Sequence, residues 1–154
     1  MKKKWCYGLF LLQACVSSPN FWQTDVISTT SRLLYDSPHS SLKLEFLKIG
    51  EEISAFLFLD QFRFSPTSDH TTELSFSIDG TIFKESIYLR QGRMRLKLSS
   101  ELMSRLILAL QDGKQVTMMT SELVETIEAA SFEISYAKFL KGSEPLNFIK
   151  GPFE

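Results

Sequence analysis

The chain has 154 residues, enough for one domain and too few for two once a leader is set aside. Apolar residues make up 44% and charged residues 23%, with thirteen Phe, a composition that suits a packed core and not disorder. A net charge of −1 offers no basic excess, which argues against a nucleic-acid binder.

Lys2, Lys3 and Lys4 form a positive n-region, and Trp5 to Leu12 a short apolar run broken only by Gly8. That is the layout of a bacterial secretory signal, and the run is far too short to cross a bilayer, which needs about 20 apolar residues. Leu12-Gln13-Ala14-Cys15 resembles the lipobox of bacterial lipoproteins, with an aliphatic residue three before the cysteine and a small one just before it. The resemblance implies cleavage between Ala14 and Cys15, a diacylglycerol on the Cys15 thiol and a further acyl chain on the new amino group. Two or more chains make a stable anchor. Val16, which is not Asp, favours the outer membrane by resemblance to enteric sorting, with the domain in the periplasm or at the surface. A plain secreted protein cut after Ser18 is the competing reading, and there Pro19 would stand first in the mature chain. Loss of Lys2, Lys3 and Lys4 would leave 14 cationic against 18 anionic side chains, or −4. Cys6 would leave with the leader and Cys15 would carry lipid, so thiol redox chemistry and a cysteine zinc site are excluded from the mature domain.

Residues 15–41 read as the lipidated N-terminus and a polar tether, interrupted by Phe21 and Trp22; Val26 to Tyr35 is undecided between a turn of helix and a short strand. Asp36-Ser37-Pro38-His39-Ser40-Ser41 is a breaker. A β-rich globular domain is predicted over 42–140. Leu42, Leu44 and Phe46 alternate with Lys43 and Glu45, the period of a half-buried strand. Ile53 to Asp60 is apolar on both faces, which fits a strand covered on both sides, with a short buried helix as the alternative, and Phe62 and Phe64 continue the alternation past Arg63. Leu74, Phe76 and Ile78 alternate with Ser75 and Ser77, and Asp79-Gly80 suits a type I′ hairpin turn to a return strand ending at Leu89. Met94, Leu96 and Leu98 alternate with Arg93, Arg95 and Lys97, which predicts a strand with one basic face. Ser99 is a helix N-cap, Leu102, Met103, Leu106, Ile107 and Leu110 recur at helical spacing, and Gly113 suits the left-handed position beyond the helix. Val116 to Thr120 and Ile127 to Tyr136 read as strands, and 141–154 as an extended tail containing Phe148 and Phe153.

These elements predict a mainly β protein: an antiparallel β-sandwich or strongly curved sheet with one short helix at about 99–112. The runs Leu74 to Gly80, Leu98 to Leu102 and Ala109 to Thr117 resemble small exported β-sandwich proteins of the invasion-associated locus B type. That family resemblance implies a fold and no function.

His39 and His70 both fall in polar loops, and no Gly-x-Ser-x-Gly elbow accompanies them. Asp69-His70 is a ligand pair without a second pair, and Gly80, Gly92 and Gly113 are isolated turn glycines, so no catalytic residue, metal or cofactor is assigned. Arg93, Arg95 and Lys97, with Phe148 and Phe153, make the expected interaction surface. The expected partners are membrane lipid through an acylated Cys15 and another envelope protein. The expectation is a non-catalytic lipoprotein serving as a protein-binding or envelope-assembly module. A hydrolase using a loop histidine and a carrier of an apolar ligand are the alternatives.

Overall fold

A computed structural model of the chain describes residues 20–60, 63–90 and 92–142. Cys15 and Ala14, and Phe148 and Phe153, lie outside the described residues. Two antiparallel sheets and two helices share one core. The first sheet runs β1 (Trp22–Ile27), β2 (Thr30–Tyr35), β3 (Leu42–Ile49), β4 (Glu52–Leu59), β7 (Arg95–Lys97). The second runs β6 (Thr81–Tyr88), β5 (Thr71–Ile78), β8 (Val116–Met119), β9 (Val124–Ile127). Helix α1 (Ser100–Gln111) carries the chain from the first sheet to the second, and α2 (Phe132–Lys141) follows β9.

Period-two alternation places the β3 and β5 core as expected: Leu42, Leu44 and Phe46 of β3 point inward, and Leu74 and Phe76 of β5 face them from the second sheet. In β4, which reads as apolar on both faces, Ala55, Leu57 and Leu59 take the inward side. Asp79 and Gly80 both hold positive φ, 50° and 79°, as a type I′ turn requires. They set the β5–β6 register with Ile78 opposite Thr81. The Ser99 hydroxyl accepts from Leu102 N at 3.2 Å and itself donates to Glu85 of β6 at 2.9 Å. One side chain therefore caps α1 and ties it to the second sheet.

Several expectations are corrected. Within the stretch read as a tether the chain forms a hairpin: β1 and β2 pair over Trp22↔Tyr35 to Ile27↔Thr30, and Trp22, Leu33 and Tyr35 are buried. The polar residues that suggested a tether sit on the solvent side of this hairpin or, like Ser31, are buried by its neighbours. The strand expected over Ile127 to Tyr136 ends at Ile127, and the chain turns into a second helix. Phe132, Tyr136 and Phe139 recur at spacings of four and three on its buried face. Their aromatic surface outweighs the strand preference of Phe-Glu-Ile-Ser-Tyr, because burial overrides propensity. The strand expected from Arg93 is shorter, at Arg95–Lys97, since Arg93 holds a left-handed φ of 51°.

Helix α2 closes the inner side of β1 and β2. Trp22 meets Phe132 edge-on with ring centres 4.7 Å apart, and Phe132 stacks on Tyr136 at 5.2 Å. Thr24 donates to Ser135 O at 3.2 Å, and Lys48 reaches Leu140 O at 3.1 Å. A Cβ on Gly142 would overlap the side chain of Val26, so glycine permits the close approach of the helix end to β1.

Candidate functional site

Three surface regions carry chemistry. The first is an open cleft of about 700 Å³ between the 63–70 loop and the 88–93 turn. Arg63, His70, Tyr88, Arg90 and Arg93 line it, with Asp69 the one carboxylate among the described lining residues. Its walls are fixed from beneath. Buried Phe64 and Leu89 anchor the two segments in the core. Phe64 N donates to Arg93 O at 2.8 Å, Leu89 N to His70 O at 2.7 Å, and Arg93 N to Arg90 O at 3.1 Å. His70 and Arg93 both adopt left-handed φ, 58° and 51°, which turns the chain sharply at each lip.

The three arginines here differ from the other three in the chain. Arg32 and Arg95 pair with Glu45, and Arg105 with Glu101. Among the described residues Arg63, Arg90 and Arg93 make no ion pair. With three guanidiniums against the single carboxylate of Asp69 among the described lining residues, the cleft carries an excess of positive charge that draws in anions.

The second region is a cleft of about 670 Å³ lined by Phe21, Tyr35, His39, Val124, Glu125 and Glu128. Tyr35 donates to Thr126 O at 3.4 Å and accepts from Glu128 N at 3.2 Å. Burial pushes the Tyr35 phenol above its ordinary value, against the opposing effect of the bond from the Glu128 backbone. His39 lines this cleft and His70 the other, and both are exposed, so no arrangement joins the two histidines. Among the described residues no group of three or more His, Cys, Asp or Glu is placed to hold a metal ion.

The third region is the outer face of the first sheet. Glu45, only 9% exposed in its side chain, accepts from Arg32 Nε at 2.7 Å and Arg95 Nη2 at 2.8 Å. The Arg95 guanidinium lies 3.6 Å from the Phe56 ring centre and 4.7 Å from that of Phe58. Lys97 stands opposite Phe56 in the register and is exposed. On the same side Lys43 bridges Asp60 at 2.8 Å and Asp36 at 3.2 Å, and its pKa is raised, first by the bond to Asp60.

The three cationic residues expected to form one surface are therefore divided. Arg95 and Lys97 share the sheet face, whereas Arg93 turns into the first cleft. Arg63 was missed as a partner of Arg90 and Arg93. It lies some thirty positions away in the chain, and the bond from Phe64 N to Arg93 O brings it near.

The fold and these surfaces define a small two-sheet β protein with two helices, an arginine-lined cleft and a mixed aromatic–cationic sheet face. Comparison with protein-family models, curated proteins and solved structures finds no match.

Proposed function

We propose that this protein is a non-catalytic, lipid-anchored module of the bacterial envelope that binds another envelope protein. The N-terminal segment supports the anchor: a basic start, a short apolar run and Leu12-Gln13-Ala14-Cys15. The observation that carries the binding role is Arg95 lying over Phe56 and Phe58 on the outer sheet face. Arginine and aromatic rings held rigid on a broad surface are the residues that dominate protein interfaces. Here Glu45 holds the guanidinium in place, so little side-chain freedom is lost on docking.

The fold starts close to the anchor. Six peptide steps from Cys15 to Phe21 reach at most about 22 Å, which keeps the domain next to the membrane surface. The hydrolase reading receives no support from the histidines, which line separate clefts. The apolar-carrier reading receives none from the interior, where Leu33, Phe46, Leu57 and Phe132 are sealed at 0% exposure.

A photocrosslinking residue at Lys97, irradiated in native membranes, tests the proposal. The expected result is a discrete protein adduct that disappears with Phe58→Ser. Lipid adducts alone, or an adduct indifferent to Phe58, would overturn it.

A further inference from the structure

We propose that the cleft walled by Arg63, Arg90 and Arg93 is a binding site for a phosphate-bearing ligand. All six arginines of the chain are described, and the three without a carboxylate partner among the described residues are the three that line this one cleft. Unpaired guanidiniums scattered over a surface are ordinary. Their convergence on one concavity of a chain with more acidic than basic side chains is not, because each raises the cost of the next until an anion is present.

The chemistry selects phosphate. A guanidinium fork pairs with two oxygens at once, so a single arginine already satisfies a carboxylate. A phosphomonoester has three acceptor oxygens and up to two negative charges, and therefore uses several forks together. The hydroxyls of Thr67 and Ser68 on the same wall are bonded to Thr71, at 3.4 Å and 2.6 Å, so the arginines carry the contact with the anion. The backbone bonds Phe64 N to Arg93 O and Leu89 N to His70 O hold the walls before any ligand arrives.

The cleft is larger than phosphate alone. At about 700 Å³ it admits an attached group of sugar or glycerol size. Tyr88, 64% exposed, and the His70 ring 6.2 Å from it offer flat surfaces for that group. The phosphate is either that of a soluble phosphorylated sugar or that of a lipid headgroup, and the two sources separate experimentally. Arg95 and Lys97 do not line this cleft, so the site stands or falls independently of the protein-binding face.

Isothermal titration of the full-length protein in a maltoside detergent tests the site with two probes. One is glucose 1-phosphate; the other is dihexanoyl phosphatidic acid below its critical micelle concentration. Binding of either, weakened by added salt, is expected. Preference for the sugar phosphate assigns a soluble ligand, and preference for phosphatidic acid a lipid headgroup. Arg63→Gln and Arg90→Gln should each weaken binding at least about tenfold with an unchanged thermal melt, while Arg105→Gln on α1 leaves it intact. Should Arg93→Gln misfold because of its left-handed φ, the other two variants still decide the matter. Failure of both probes to bind with Kd below about 1 mM, or equal binding by the Arg63 and Arg90 variants, would overturn the proposal.

Discussion

The indole N–H of Trp22 donates to the carbonyl of Glu128 at 2.9 Å, joining the first strand of the fold to the segment that leads from β9 into α2. The ring itself is 2% exposed and packs on Tyr35 and Phe132. A residue only seven positions beyond the lipidated cysteine proposed above thus closes the core from the opposite end of the chain.

Trp22→Ala should accordingly destabilise the protein by about 3–5 kcal/mol, the cost of deleting a buried aromatic and leaving a cavity. Trp22→Phe should lose less, because most of the apolar area stays and one hydrogen bond is gone. Urea unfolding followed by near-ultraviolet circular dichroism reads both. A loss below about 1 kcal/mol for Trp22→Ala would mean that β1 is not part of the cooperative unit.

At the β5–β6 turn the expected strain is in the backbone alone. A Cβ on Gly80 would meet nothing within 4 Å, yet φ is +79°. Gly80→Val should cost at least about 1–2 kcal/mol, and Gly80→Asn clearly less, since asparagine tolerates this region and a β-branched residue does not. Equal melting temperatures for the two variants would contradict the turn geometry.

Alkaline stability offers a separate check. Tyr35 and Tyr136 have pKa values raised by burial, and Lys43 has one raised first by its bond to Asp60. Each of these groups holds its proton more tightly folded than unfolded. Their contribution is complete below the ordinary tyrosine value near 10 and is lost as pH rises through the raised folded values. Stability should therefore fall from about pH 10 upward. Tyr35→Phe, although less stable near neutrality, should show a shallower alkaline decline. An unchanged slope would deny Tyr35 this role.

Cys15→Ser should abolish acylation and leave the domain folded, because the cysteine precedes the first described residue of the core, Trp22. Metabolic labelling with a tagged fatty acid measures the first, and the circular dichroism melt the second. Equal labelling of wild type and variant would replace the anchored protein with a secreted one.

What could be read from the chain was local. The Asp79-Gly80 turn, the Ser99 cap and Gly113 at φ +74° each depend on a few adjacent residues whose backbone preferences act without help from the rest of the molecule. Alternation of period two likewise located β3 and β5, because one buried face is enough to write that pattern, whereas β4, apolar on both faces, carried no such alternation. Three features needed the tertiary structure. The β1–β2 hairpin hides Trp22, Leu33 and Tyr35 among polar neighbours, and its inner face acquires meaning only when α2 covers it. Helix α2 carries a helical spacing of Phe132, Tyr136 and Phe139 in a strand-like composition, and the aromatic surface it buries against Trp22 and Phe46 decides between the two. The arginine cleft has no signature at all in one dimension. Charge acts through space, and Arg63 meets Arg90 and Arg93 only because the chain folds Phe64 and Leu89 into the same core.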